Sequence, residues 1–253
     1  MKSVFFLSVL ILFVIVPRSK AKEQAFGLEE KTGEYLTQNL MVLNEDSVPV
    51  NLRDLVTKPT LMCFVYYHCP ALCPKMLEGI AELVNFTDAI PGKDYQIFTV
   101  SIDHRESAAQ AREAKKKYTG LVKKPIDPYF WRFFTADSTD IRKLTDDLGW
   151  EFRELGGDFV HTTSTVLITP GGMISQYFYG TYFNYMHFAM SVEKANKEET
   201  VPTRLKTLKY CYNYQPARNM KVVWLTTIFG ITVIFISLLL FFTLVIKSRK
   251  EGA

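Results

Sequence analysis

The sequence predicts an α/β domain, built on a buried sheet with crossover connections and followed by one membrane helix. Three observations carry this expectation. Two apolar runs rich in β-branched and aromatic residues, Leu61–Tyr67 and "YQIFTVSI" at 95–102, are each followed by a stretch with helical spacing. The succession strand, helix, strand, helix, then hairpin and helix is the order of a sheet whose strands are joined by crossovers. Finally, Val222 to Ile246 is a run of twenty-five residues with no charge, bounded by Lys221 and Lys247. A buried soluble helix rarely runs that long without a polar face, so a transmembrane helix is expected at 222–246.

Taken in order, the chain opens with an apolar run spanning thirteen residues, Val4 to Val16, after Lys2. That is short for a spanning helix of ~20 residues and suits a signal-peptide core, with Ser19 and Ala21 at cleavage positions. Residues 1–21 are therefore expected to be a signal peptide, the alternative being an uncleaved anchor. A folded domain is expected over 25–197. Its preface, Ala25 to Leu55, reads as a hairpin with "NED" as the turn. Leu61–Tyr67 is the first buried strand, and Pro74–Thr87 a helix with Met76, Leu77, Ile80, Ala81, Leu83 and Val84 at helical spacing. A proline just inside a helix start is favourable, because the first amides have no intrahelical partner.

"PGKD" turns into the second strand, and "ESAAQAREAKKKY" reads as the next helix. "WRFFTA" is a short strand, and "DSTDIRKLTDDLGW" a helix with Ser138 or Thr139 as its cap and Gly149 near its end. "HTTSTVLITPGGMISQYFYG" reads as two strands around a Pro-Gly-Gly turn, and "YMHFAMSVEKANK" as the closing helix. Residues 198–221 are expected to be a stalk and 247–253 a cytoplasmic tail. The tail, "KSRKEGA", carries three basic residues, which favours the cytoplasm by the positive-inside tendency. The domain between signal and span then faces the outside or the periplasm.

Composition narrows the function classes. The 253 residues are 48% hydrophobic with a net charge of +4, part of it in the tail. The basic cluster at Arg112 and Lys115 to Lys117 reads as a solvated helix face, so no nucleic-acid role is expected. Four cysteines, at 63, 69, 73 and 211, are too few for a disulfide-rich scaffold. Cys63 lies inside the apolar strand and reads as a small core residue.

The chemistry is concentrated in "YYHCPALCPKM", residues 66–76. Cys69 and Cys73 lie four apart, on the first helical turn or the loop entering it. Amides at a helix start favour the thiolate. Metal binding and redox exchange both need that thiolate, so this step does not separate them. Two sulfurs alone would hold a soft ion such as Cu(I), and an added imidazole would suit either Cu(I) or Cu(II). Of the four histidines, His161 opens the strand after a loop containing Gly156 and Gly157, where it is either a ligand or a structural residue. His104 follows the second strand and is the runner-up. His68 diverges from its neighbour Cys69, and His187 lies on an amphipathic helix, where packing is the ordinary role.

"VYYHCPALCP", "FTVSIDHRES" and "FVHTTSTVLITPGGMISQYFYG" together resemble the SCO/SenC family of thioredoxin-fold copper-delivery proteins. The resemblance runs from about Gly27 to Tyr214, and bacterial members with a C-terminal membrane helix are the most similar. It implies a thioredoxin-like sheet and a copper ion, Cu(I) or Cu(II), bound by Cys69, Cys73 and His161. It also implies an inner-membrane location with the domain in the periplasm. The implied partner is the cytochrome c oxidase subunit that carries the dinuclear CuA site. Family members often have aspartate before the histidine, where this chain has Val160. Asp103 matches a family aspartate near the copper and takes a supporting role, the plain alternative being a cap for the next helix.

Three rivals share these residues. A thiol–disulfide oxidoreductase would use Cys69 and Cys73 as its redox pair. Such enzymes usually space their cysteines by two residues and place a proline before the facing strand, whereas no proline lies between Pro128 and Pro170 here. A peroxidase would need one cysteine attended by threonine and arginine. A disulfide acting only as a staple would close too short a loop to constrain much chain entropy. Zinc would normally ask for a fourth ligand. The expected role is metal delivery by ligand exchange, not enzymatic turnover.

Overall fold

The computed structural model describes residues 27–203, 210–211, 228–241 and 243. The expected signal segment lies outside them. The chain divides into two compact units, Met1–Cys211 and Tyr212–Ala253. Of the second, residues 228–241 are helical. Among the described residues no helix is long and apolar enough to cross a membrane, and the rest of the expected span at 222–246 lies outside them.

The first unit is a seven-stranded sheet flanked by helices. Strands β3 (Thr60–Val65) and β4 (Gln96–Ser101) are buried throughout, and they pair in parallel from Thr60↔Gln96 to Val65↔Ser101. Continuous burial is what a strand covered on both faces requires, and it is why these runs do not alternate. Helix α1 (Leu72–Phe86) makes the crossover between them and buries Met76, Leu77, Ile80, Ala81, Leu83 and Val84, the stripe expected from its spacing. Helix α2 (Ala108–Thr119) leads on to β5 (Trp131–Thr135), parallel to β4. Ser107 and Gln110 close its first turn as a capping box.

Helix α3 (Ser138–Asp147) is capped one residue before the first of its expected caps, Ser138. Asp137 is the cap, its carboxylate accepting both Thr139 and Asp140 N–H at 2.8 Å. The preface is the antiparallel pair β1 (Met41–Asn44) and β2 (Pro49–Asn51), joined to the sheet through β5. Its turn is held by the Asn44 side chain, which accepts the Asp46 and Val48 amides.

The last part departs from expectation in one respect that matters. His161 does not open the long strand. It belongs to β7 (Asp158–Thr162), which pairs antiparallel with β6 (Phe152–Leu155) across the two-residue turn Gly156–Gly157. Both glycines have positive φ, 64° and 93°, the conformation a tight hairpin turn needs. The chain then enters β8 (Ser164–Ile168), antiparallel to β3, and returns along β9 (Ile174–Tyr179) before α4 (Tyr185–Asn196). A second difference lies in the expected stalk: Tyr210–Cys211 forms β10, paired with β7 so that Cys211 lies opposite His161 in backbone register.

Candidate metal centre

Sheet register explains how residues 69 and 161 come together. Strand β3 runs up to Val65, and β8 runs antiparallel beside it with Cys63 opposite Thr165. The start of β8 therefore stands next to the end of β3. The residues just before β8, including His161, fall beside the loop that carries Cys69. In open α/β sheets that carboxyl edge of the parallel strands is where sites are usually built.

The loop itself is short. Cys69 donates its amide to the Tyr66 carbonyl at 3.1 Å, closing a turn at the end of β3. Cys73 is the second residue of α1, so one thiol is on the loop and the other on the helix. Both are buried, and neither they nor Cys63 is in a disulfide. Cys63 sits in the core as expected, its sulfur 3.2 Å from the Thr99 hydroxyl, and burial pushes its thiol up to about 12.

His161 is the third member. Its Nε2 lies 3.9 Å from Cys73 Sγ. Its Nδ1 is 3.0 Å from the Thr162 carbonyl, which accepts only if Nδ1 carries the proton. That tautomer leaves the Nε2 lone pair facing the thiol. A metal-binding histidine is commonly fixed in this way by a partner on its other nitrogen, and here a backbone carbonyl does what Val160 cannot. Burial lowers the His161 pKa below the ordinary value, opposed by the Thr162 hydrogen bond and by the negative charge that Cys69 would carry. The ring is therefore held neutral, as a ligand must be.

Trp150 forms the wall behind the imidazole. It is 1% exposed, its ring centroid lies 4.8 Å from that of His161 and 4.7 Å from Phe64, and its indole N–H donates to the Ser164 hydroxyl at 3.0 Å. Tyr66 and Phe159 pack at 5.3 Å on the hairpin side. The sequence reading missed Trp150; its place just before a short strand with aromatic partners was the available signal.

Other candidates go elsewhere. Asp103 is engaged by Arg105, at 2.6 and 2.9 Å from the guanidinium, and Arg105 continues to Glu154 at 3.0 Å and over the Phe159 ring. Burial raises the Asp103 pKa, but the bonds from Arg105 outweigh it and hold the carboxyl below its usual value. Asp103 thus ties the β4 loop to the β6–β7 hairpin, and it does not cap α2. His104 lines a groove of about 380 Å³ with Arg142, Phe152 and Phe159. His187 bonds Gln176 and packs against Phe178, and His68 turns toward Glu106.

What the arrangement can do follows from its donors. An ion bonded to one sulfur and one imidazole nitrogen would separate them by at most roughly 4.3 Å, taking bond lengths typical of zinc sites. The observed 3.9 Å is slightly less, an open angle with room for another donor. Among the described residues no group of three or more His, Cys, Asp or Glu side chains is already closed into a metal site. Cys73 and His161 are in place, and Cys69 is near enough for its charge to act on His161. Two thiols and a neutral imidazole fit a soft ion that tolerates low coordination.

Comparison with known proteins gives a consistent picture. The family model described as SCO1/SenC matches residues 29–196. No curated protein matches the chain. Among solved structures, a protein of Aquifex aeolicus provisionally described as an electron transfer protein is 26% identical with a TM-score of 0.59, over 66% of this chain and 95% of its own. Arabidopsis thaliana ScoI, solved with copper bound, is 18% identical with a TM-score of 0.52, over 66% and 98%. BsSco, a member of the Sco family of cytochrome c oxidase assembly proteins studied for a disulfide switch, is 20% identical with a TM-score of 0.52, over 68% and 99%. The last two likenesses bear on the fold, which is thioredoxin-like.

Proposed function

The chain belongs to the SCO1/SenC family, and on that premise we propose that it is a copper carrier binding one ion through Cys69, Cys73 and His161. Copper is its cargo, delivered to the CuA site of a cytochrome c oxidase subunit. The observation that carries this reading is the meeting of Cys73 Sγ and His161 Nε2 at 3.9 Å across 88 positions of sequence, with the other imidazole nitrogen already engaged. A histidine placed only for packing has no need of a lone pair aimed at a thiol.

Delivery requires no bond making in a substrate. Thiolates of the receiving subunit replace the three donors one at a time, so the ion is never free. Because two donors sit on different elements, the β3–α1 loop and the β7 hairpin, each can leave the ion without unfolding the sheet. The setting we propose is the bacterial inner membrane. The domain lies in the periplasm after export by residues 1–21, the apolar segment 222–246 spans the membrane, and the basic tail is cytoplasmic.

A second reading keeps the fold and changes the cargo to electrons. Cys69 and Cys73 are four residues apart, which permits a disulfide to form between them as a partner's disulfide is reduced to thiols. Titration of the full-length reduced chain in detergent with Cu(I), against Cys69→Ser and His161→Ala, separates the two. One tight equivalent, lost in Cys69→Ser and weakened in His161→Ala, supports delivery. No copper affinity together with fast, general disulfide reduction supports the second reading and refutes the first.

A further inference from the structure

The loop that presents Cys69 is held from below by a group outside the ligand set. Glu106 lies in the connection from β4 to α2, and its side chain is 3% exposed. Three donors converge on its two oxygens, and a ring nitrogen lies beside one of them. One oxygen accepts the Tyr67 amide at 2.8 Å and the Ser101 hydroxyl at 2.6 Å. The other accepts the His68 amide at 3.0 Å and lies 3.0 Å from the His68 ring Nδ1. Burying a carboxylate is costly unless its hydrogen bonds are satisfied. Only a carboxylate offers acceptors alone on both oxygens: an amide there would turn an N–H₂ toward the Tyr67 or the His68 amide. The site therefore calls for a carboxylate, and its first two clients are the peptide units immediately before Cys69.

We propose that Glu106 is a positioning residue for the copper site: by gripping the Tyr67 and His68 amides it fixes where Cys69 presents its sulfur to Cys73 and His161. The inference rests on the copper reading for its purpose. The same carboxylate, 3.0 Å from the His68 ring Nδ1, keeps that ring turned away from the thiols. His68 is next to Cys69 in sequence but is thereby held to Glu106.

The test uses the full-length reduced chain, free of metal, in detergent. Alkylation by iodoacetamide is followed separately at Cys69, Cys73 and Cys63 by peptide mass spectrometry, for the parent chain, Glu106→Gln, Glu106→Ala and His68→Ala. Cys63, wholly buried in β3, reports global opening. Losing charge-assisted bonds to two adjacent amides should speed Cys69 by about tenfold, with Cys63 unchanged within about twofold. His68→Ala should leave Cys69 within about twofold, since the backbone grip remains. The copper-loaded chain should show a shifted thiolate-to-copper charge-transfer band in Glu106→Gln.

An unchanged Cys69 rate in a folded Glu106 variant overturns the proposal, as does equal acceleration of Cys63, which marks a general stability role. So does a His68→Ala chain that reproduces Glu106→Ala. Because alkylation is read without copper, the outcomes separate. A loosened Cys69 in a chain that binds no copper removes the copper reading and leaves only a loop anchor. A copper-binding chain whose Cys69 ignores Glu106 removes the anchor alone.

Discussion

Replacing Trp150 by phenylalanine tests whether the wall of the site is as tightly specified as its contacts imply. The indole is 1% exposed and packs on Phe64 at 4.7 Å and on His161 at 4.8 Å, while its N–H donates to Ser164, itself fully buried. Phenylalanine keeps the apolar body and loses the donor. The Ser164 oxygen then lacks its partner in a dry setting, which costs about 1–3 kcal/mol. The volume lost adds a cavity contribution, though less than the ~3–5 kcal/mol of a full truncation to alanine. Together Trp150→Phe should destabilise the domain by about 2–3 kcal/mol.

Urea unfolding of the full-length chain in detergent reads this as a lower midpoint at constant slope. The double variant Trp150→Phe with Ser164→Ala isolates the hydrogen bond. Removing the stranded hydroxyl should recover about 1 kcal/mol, a coupling that independent sites would not show. A Trp150→Phe chain within about 0.5 kcal/mol of the parent, or a strictly additive cycle, would refute the packing argument.

Three further outcomes follow from particular contacts. Asp137→Ala removes the cap that serves two amides of α3, so the domain should lose about 1 kcal/mol in thermal or urea unfolding, and Asp137→Asn should restore most of it. Gly149→Ala places a Cβ 1.9 Å from the Glu29 carbonyl oxygen at φ +58°, and should cost roughly 1–3 kcal/mol, more than alanine at the open turn position Gly157. Alkaline pH should destabilise the fold through Cys63, whose thiol is held protonated up to about 12 by burial. The folded pKa is raised, so this contribution is whole below the unfolded thiol's value near 8.5 and is lost as pH rises toward the folded value. Between those limits the slope is about 1.4 kcal/mol per pH unit for this one group, and Cys63→Val should flatten it.

Much of the fold was legible because burial on both faces leaves a plain mark. Strands β3 and β4 are unbroken apolar runs, and α1 carries its stripe at helical spacing. The α3 cap was misplaced by one residue because Asp, Ser and Thr stand in a row and all three types cap helices. The β6–β7 hairpin looks like a loop in the sequence, since β6 is mostly exposed and shows no apolar alternation. Its Gly156–Gly157 pair, with both φ positive, was the overlooked turn signal.

In the site, the residue types of Cys69, Cys73 and His161 stood out, yet what orients them did not. The partner of His161 is a backbone carbonyl at Thr162, which no side-chain pattern announces. Glu106 sits within "FTVSIDHRES" directly before the Ser107 cap, where an acidic residue ordinarily reads as helix-end electrostatics. Asp103 drew attention in that stretch, and its bond to Arg105 shows that the two neighbouring carboxylates divide the work, one tying the hairpin and one tying the thiol loop.

The most direct test is X-ray absorption at the copper edge on the full-length chain loaded with one equivalent of Cu(I). The account predicts two sulfur scatterers and one imidazole nitrogen, with the nitrogen lost and both sulfurs kept in His161→Ala. A spectrum with sulfur alone, or one that His161→Ala leaves unchanged, would contradict it.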